Sequence, residues 1–336
     1  MMTTIEQTEA TQNPTRPADF ARPMMDSENL SLAERFFPFG FPADVRTNSH
    51  RVIEQFANLW GRFYQERDTE PIRCDVQLVE GAAAECPPAP TYRLMLPLLA
   101  IVADGDNYCI VDLDRAQAKI SISLTALRHP LYAQYFFLAM PACCMATRYV
   151  TSVHAACVAL HGRGVLLCGD SGAGKSTLAY ACARSGWTYV SDDGSYIVNG
   201  GKRRQVTGNC HQVRFRPTAA SIFPELEGLA ITPRAAGKPS IELPTAPMTH
   251  IRCSQTTHVD FVVFLSRREE GPPELMPFSR EMAGRSMCQV LYGSPDSLAR
   301  QYEEIENLLT AKVFELRYSG LGAAVDRLQT MIETGL

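Results

Sequence analysis

Gly169-Asp170-Ser171-Gly172-Ala173-Gly174-Lys175-Ser176 is the stretch whose reading decides the fold. It fits G-x-x-x-x-G-K-[ST], a loop whose glycines let successive backbone N–H groups turn inward and form a concave anion nest. In such a loop Lys175 reaches the β- and γ-phosphates of a nucleotide, and the Ser176 hydroxyl is a ligand for Mg²⁺. Gly169 to Ser176, with Thr177 behind them, are therefore the candidate nucleotide-binding residues, and ATP with Mg²⁺ is the expected cofactor pair. At about 7% glycine the bare pattern arises by chance in roughly one in a hundred chains of this length, so the flanks must decide. Upstream, Gly164-Val165-Leu166-Leu167-Cys168 is a short apolar run suited to a buried parallel strand. Downstream, Ser176 to Arg184 holds good helix formers and no breaker, and Gly186 falls where a left-handed helix cap is expected. A strand–loop–helix frame follows, with the positive end of the helix dipole aimed at the phosphates.

The next strand, Trp187-Thr188-Tyr189-Val190-Ser191, runs straight into Asp192-Asp193. A further strand, Ser195 to Val198, turns back through Asn199-Gly200, a two-residue hairpin signal. The acid pair thus sits at the carboxyl end of a strand one helix after the loop, the end that carries the ligand crevice in a parallel α/β sheet. Two acids beside Lys175 and a metal can divide their duties, one holding or orienting Mg²⁺ and the other accepting a proton from an attacking hydroxyl. An Asp-Asp-Gly turn solvated at the surface is the plainer reading of the same residues.

Together, Ser152-Val153-His154-Ala155-Ala156, the loop with its preceding strand, and Val190-Ser191-Asp192-Asp193 resemble the catalytic domain of HPr kinase/phosphorylase and its relatives. That family places a histidine about fifteen residues before the loop and an Asp-Asp pair about seventeen after the lysine, and both offsets are met. The resemblance implies that Asp192 is the general base for an acceptor serine hydroxyl, that Asp193 supports it and joins Ser176 at the metal, and that His154 tunes the pair. Taken without the family, His154 also reads as a core histidine on a strand. The resemblance covers roughly residues 150 to 335. The kinase/phosphorylases proper carry a Glu-Ile-Arg-Gly-type signature after the acids; here Gln205-Val206-Thr207-Gly208-Asn209-Cys210 has no glutamate. The second metal ligand is left without a residue, and with it the reverse phosphorolysis. The alanines after His154 and the Ser-Thr loop ending look more like the truncated HPr-kinase-like proteins of bacteria.

The 336 residues allow one large domain or two ordinary ones, and 46% hydrophobic with 20% charged residues is a globular composition. A net charge of −4 speaks against non-specific nucleic-acid binding. Eleven cysteines form no Cys-x-x-Cys pair, and Cys157 and Cys168 fall in expected strands, as reduced thiols of a cytoplasmic protein would. The first residues lack a basic region followed by an apolar one, and the most apolar run, Leu131 to Ala146, is too short to span a bilayer. A cytoplasmic protein without a membrane partner is expected.

The fold class expected is α/β: an HPr-kinase-like loop domain over 150–336, preceded by a smaller α+β module over 31–128. Residues 1–30, rich in Thr, Gln and Pro, are expected to be a disordered tail, and 129–149 a buried connecting helix. In the module, Ser49 to Glu66 has Val52, Ile53, Phe56, Leu59, Trp60 and Phe63 at helical spacing. Strands are expected at Ile72–Val79, Tyr92–Val102, Tyr108–Asp112 and Lys119–Leu124, and no catalytic spacing is present. Past the acid pair, Arg214, Arg216 and Lys238 lie in loop-like segments as candidate clamps on a transferring phosphoryl group. Cys210 and His211 are weak metal-ligand candidates. Val259 to Leu265 reads as a buried strand, with Asp260 away from its carboxyl end. Helices are expected at Arg280–Tyr292 and Ser297–Thr310, then a strand at Val313–Tyr318 and a helix at Leu321–Ile332.

The function these residues favour is an ATP-dependent kinase acting on a hydroxyl, with a serine of an unidentified protein or peptide as acceptor. An ATP-binding regulatory switch and a small-molecule kinase are the alternatives. The family resemblance also allows a homo-oligomer.

Overall fold

The computed structural model describes residues 30–81, 84–201, 204–234 and 237–336. The tail expected to be disordered lies, up to residue 29, outside the described residues. The chain divides into two compact units, the boundary falling between Arg148 and Tyr149.

The first unit holds a seven-stranded sheet of β1 (Leu32–Phe36), β2 (Ala43–Thr47), β3 (Ile72–Val79), β4 (Thr91–Met95), β5 (Leu98–Val102), β6 (Tyr108–Asp112) and β7 (Gln117–Ser123). Its spatial order is β1-β2-β3-β7-β6-β5-β4. Helix α1 (His50–Trp60) starts at Ser49, whose hydroxyl accepts the Arg51 N–H, and it buries Val52, Phe56 and Trp60. It stops six residues short of the expected Glu66 because Gly61 gives poor support to further propagation. The expected single strand Tyr92–Val102 is instead a hairpin, with Met95 opposite Leu98. Pro97 lies at its turn and has no N–H to give a sheet ladder. Ser123 ends β7 and caps α2 (Leu124–Leu127). Then follow α3 (Pro130–Ala133), a π-helical turn Gln134–Ala139, and α4 (Met140–Ala146). The helix expected to connect the modules therefore falls inside the first unit, and it contains a π segment.

The second unit begins with β8 (Val150–Val153), β9 (Ala156–Leu160), β10 (Arg163–Cys168), α5 (Lys175–Arg184), β11 (Thr188–Ser191), β12 (Ser195–Val198) and β13 (Gln205–Gly208). A separate three-stranded sheet follows, β14 (Gln212–Phe215), β15 (Ile231–Thr232) and β16 (Ser240–Pro244), in the order β14-β16-β15. The chain then forms β17 (Arg252–Cys253), β18 (Thr256–Arg267), β19 (Glu274–Pro277), α6 (Arg280–Cys288), α7 (Pro295–Leu308), β20 (Lys312–Tyr318) and α8 (Leu321–Thr334).

Strand direction decides where a ligand can bind. β10 runs parallel to β18, and β18 parallel to β20. β9 is antiparallel to both β10 and β11. Hence β10, β11, β18 and β20 all end at one edge, the crevice side of an open α/β sheet. Side chains alternate along β10 accordingly. Val165 and Leu167 pack with Leu178 of α5 and Leu328 of α8, whereas Leu166 and Cys168 pack with Met287 of α6 and Ile305 of α7. Helices thus cover both faces of a mixed sheet, an α/β fold. Leu167 is fully buried, so its truncation to alanine removes ~2–5 kcal/mol of stability.

Three local expectations shift. The link after β12 spans 199–204 rather than two residues, because β13 resumes only at Gln205. Helix α6 ends at Cys288, and Tyr292 lies in the connection to α7, where its carbonyl accepts from Gln301. Arg214 is not in a loop: it lies in β14, which the sequence alone did not mark as a strand, whereas Arg216 follows that strand in the connection, as expected. No described helix is long and apolar enough to cross a membrane.

Candidate functional site

The 169–176 loop joins the end of β10 to the start of α5. Gly169, Gly172 and Gly174 have φ of 139°, 99° and 96°, the region in which a side chain is strained. The need is sharpest at Gly174, where a Cβ would stand 2.5 Å from the Tyr318 hydroxyl at the end of β20. That hydroxyl donates to the Ala173 carbonyl at 3.0 Å, and the Ala173 N–H donates to the Asp170 carbonyl at 3.0 Å. The backbone N–H groups of Ser171, Gly172, Gly174, Lys175, Ser176 and Thr177 find no acceptor among the described residues. No acidic side chain stands in the first turn of α5 to compete for them. A run of unclaimed N–H groups at a helix N-terminus is suited to a polyphosphate.

Lys175 is buried and folds back over the loop, its Nζ donating to the carbonyls of Gly169 at 2.7 Å and Asp170 at 3.2 Å. Burial pulls its pKa down, while the charge of Asp193 opposes that pull. The Ser176 hydroxyl lies 3.5 Å from the Asp192 carbonyl, so the hydroxyl and the start of the acid pair adjoin. Arg216 reaches the loop from just past the end of β14, its Nη2 donating to Ser171 Oγ at 2.9 Å.

The two acids have opposite surroundings. Asp192 is 7% exposed, and its Oδ2 accepts the Arg214 backbone N–H at 2.5 Å. Burial pushes its pKa up to about 6, against the bond to Arg214 and that residue's charge. The Asp193 side chain is 62% exposed, and its Oδ1 lies 3.5 Å from His154 Nδ1. His154 is exposed in the link between β8 and β9, not a core histidine on a strand. Partial desolvation of the half-exposed ring and the charge of Lys175 hold its pKa below the ordinary value, against the charge of Asp193. A serine chain fixes the pair in place: Ser191 and Ser195 share a hydroxyl contact of 2.7 Å, and Ser195 donates to the Ala155 carbonyl at 3.0 Å. That chain ties the acid turn to the residue after His154.

The fold therefore gathers Lys175, Ser176, Asp192, Asp193, His154, Arg214 and Arg216 around one loop. It also brings in Arg234, which no spacing in the sequence indicated. Arg234 pairs with Glu242 of β16 at 2.7 Å, and its pKa responds to Arg214, Asp192 and Asp193. Lys238 stays exposed in the connection between β15 and β16, with no hydrogen bond or ion pair to a described residue. Asp260 faces Arg204 at 3.9 Å, away from this edge. Cys210 is buried, with its sulfur 3.9 Å from the His211 ring, and no group of three or more His, Cys, Asp or Glu gathers for a metal among the described residues.

These features define an α/β unit built around a loop with anion-binding geometry and a paired carboxylate. Residues 145–217, the stretch that holds the loop, the acids, His154, Arg214 and Arg216, match the family model described as HPr Serine kinase C-terminal domain. Over these residues the chain is similar to that family. Among solved structures, the chain is similar to the Hpr(Ser) kinase/phosphatase from Coxiella burnetii at 13% identity and a TM-score of 0.30, covering 55% of this chain and 95% of that one. That likeness is too slight to carry weight. No curated protein matches the chain.

Proposed function

We propose that the second unit transfers the terminal phosphoryl group of ATP to a hydroxyl, with a serine of a protein or peptide as acceptor. The observation that carries this reading is the His154–Asp193 contact of 3.5 Å beside a loop whose lysine senses the Asp193 charge. A loop that only held nucleotide would not need an exposed, histidine-paired carboxylate at the phosphate end.

The loop N–H groups, Lys175 and Arg216 bind and align the phosphates of the donor. A proton acceptor must meet the incoming hydroxyl, and of the two acids Asp193 is the accessible one. The geometry favours giving Asp193 the role of base that the family resemblance gave to Asp192. His154, neutral near pH 7, orients the Asp193 carboxylate. The acceptor oxygen then attacks the γ-phosphorus, its proton passes to Asp193, and the bond to the β-phosphate oxygen breaks with its electron pair leaving on ADP. Asp192 and Ser176 would hold the Mg²⁺ ion, which supplies charge neutralisation across the β- and γ-phosphates. Two protein ligands, with water and phosphate oxygens completing the shell, suit this small hard cation, and the described residues offer no larger cage.

A second reading, an ATP-held switch without transfer, draws on the segment 205–210, which lacks the metal-holding glutamate. Incubation with γ-labelled ATP and native lysate separates the two. Label entering a specific protein, and lost with Lys175→Met, supports the kinase. Tight ATP binding with no label transferred supports the switch.

A further inference from the structure

The strand β14 and the residue that follows it place two arginines beside the two halves of the site. Arg214 of β14 and Arg216 just past its end are exposed, while Val213 and Phe215 are buried, so Arg214 leaves the strand on the face opposite the core and Arg216 continues that alternation. Arg216 already reaches the loop through Ser171 Oγ. Arg214 stands one pleat back, roughly 7 Å along the strand, beside the acids rather than the loop. Its backbone N–H binds Asp192, and its charge acts on both Asp192 and Arg234. Arg234 is matched by Glu242 at 2.7 Å. The Arg214 guanidinium has no such match: it makes no hydrogen bond or ion pair with a described residue.

We infer that Arg214 determines acceptor specificity by taking an anionic group, a carboxylate or phosphate, that the acceptor carries close to its reacting hydroxyl. The inference rests on the transfer reading above. With Lys175, Arg216 and the loop N–H groups given to the donor in that reading, Arg214 is the exposed cation beside Asp192 whose guanidinium no hydrogen bond or ion pair with a described residue occupies. Its planar fork suits bidentate recognition of a carboxylate or phosphate, and a site built for such a group disfavours acceptors that lack it. The anion can come from an acidic side chain beside a peptide serine or from the carboxylate of a small hydroxy acid.

The test uses the full chain loaded with ADP and Mg²⁺. Fluorescent degenerate peptides with a central serine and a fixed neighbouring Glu or Gln are bound to the wild type, Arg214→Gln and Arg214→Lys, with D-glycerate and glycerol as competitors. The wild type is expected to bind the Glu set at least tenfold more tightly than the Gln set. That ratio falls towards one in Arg214→Gln and partly recovers in Arg214→Lys, with ADP affinity unchanged throughout. Competition by glycerate but not glycerol, without a peptide preference, assigns the anion to a small hydroxy acid instead. Equal binding of both peptide sets with no glycerate competition overturns the inference. So does a preference that survives in Arg214→Gln, which would leave Arg214 as a support for Asp192 alone. Transfer from γ-labelled ATP is read in parallel. An anion preference without transfer keeps the anion site and removes the kinase reading.

Discussion

His154 Nδ1 lies 3.5 Å from Asp193 Oδ1, and the two residues come from separate links of the sheet. The Ser191–Ser195–Ala155 chain holds those links together, so the contact is fixed by neighbouring backbone rather than by the two side chains alone. A histidine kept neutral can orient a carboxylate without drawing its negative charge into an ion pair. His154→Gln should therefore lower the transfer rate about 10- to 100-fold. ATP affinity, measured by titration calorimetry, should change less than about threefold.

The buried Asp192 gives a pH signature. Its pKa rises from 3.8 to about 6 on folding, so the folded state binds the proton more tightly than the unfolded state. That contribution is fully present below about pH 4 and is lost as pH rises through 6, leaving the ionised carboxylate a burden of about 3 kcal/mol at neutral pH. Asp192→Asn keeps an oxygen for the Arg214 N–H and removes the charge. Its melting temperature should exceed that of the wild type by at least ~4 °C at pH 7.5, with the gap closing by pH 4. Thermal unfolding across that range measures it. Transfer by the wild type should in turn fall as pH drops through 6.

Tyr318 and Gly174 fix the shape of the loop. Tyr318→Phe deletes the bond to the Ala173 carbonyl and should cost about 1 kcal/mol of stability, with ATP binding weakened several-fold. Gly174→Ala sets a methyl 2.5 Å from the Tyr318 hydroxyl at a φ of 96°, and should cost about 1–3 kcal/mol. Denaturant titration and ATP binding of both variants check the pair.

Arg216 contacts the loop directly, so its loss should register on the donor. Arg216→Ala is expected to raise the KM for ATP and lower kcat together by about tenfold or more, leaving the peptide preference in place. Steady-state kinetics with ATP varied at fixed acceptor decides it.

The donor half of this site is legible in the sequence because its parts are local. Gly164 to Arg184 spans strand, loop and helix in one short run, and the apolar run, glycines and cap at Gly186 each mark their element. The acids follow one strand later. The acceptor half is not legible in that way. β14, β15 and β16 are two to five residues long, and their pairing joins Arg214 to Glu242 and Ile231 to Ile241 across long loops. Such pairing depends on long-range register that no local period reveals. One signal was present: Val213-Arg214-Phe215-Arg216 alternates apolar and charged, the period of a half-buried strand. The roles of Asp192 and Asp193 were equally hidden, since adjacent identical residues differ only in what the fold places over them.

In the proposed phosphoryl transfer Asp193, not the buried Asp192, accepts the acceptor's proton. The most direct test is single-turnover transfer from γ-labelled ATP to the labelled lysate acceptor by Asp193→Asn, with ATP affinity measured on the same preparation. The transfer rate should fall by at least ~10³-fold at unchanged ATP affinity. Transfer by Asp193→Asn at the wild-type rate would contradict it.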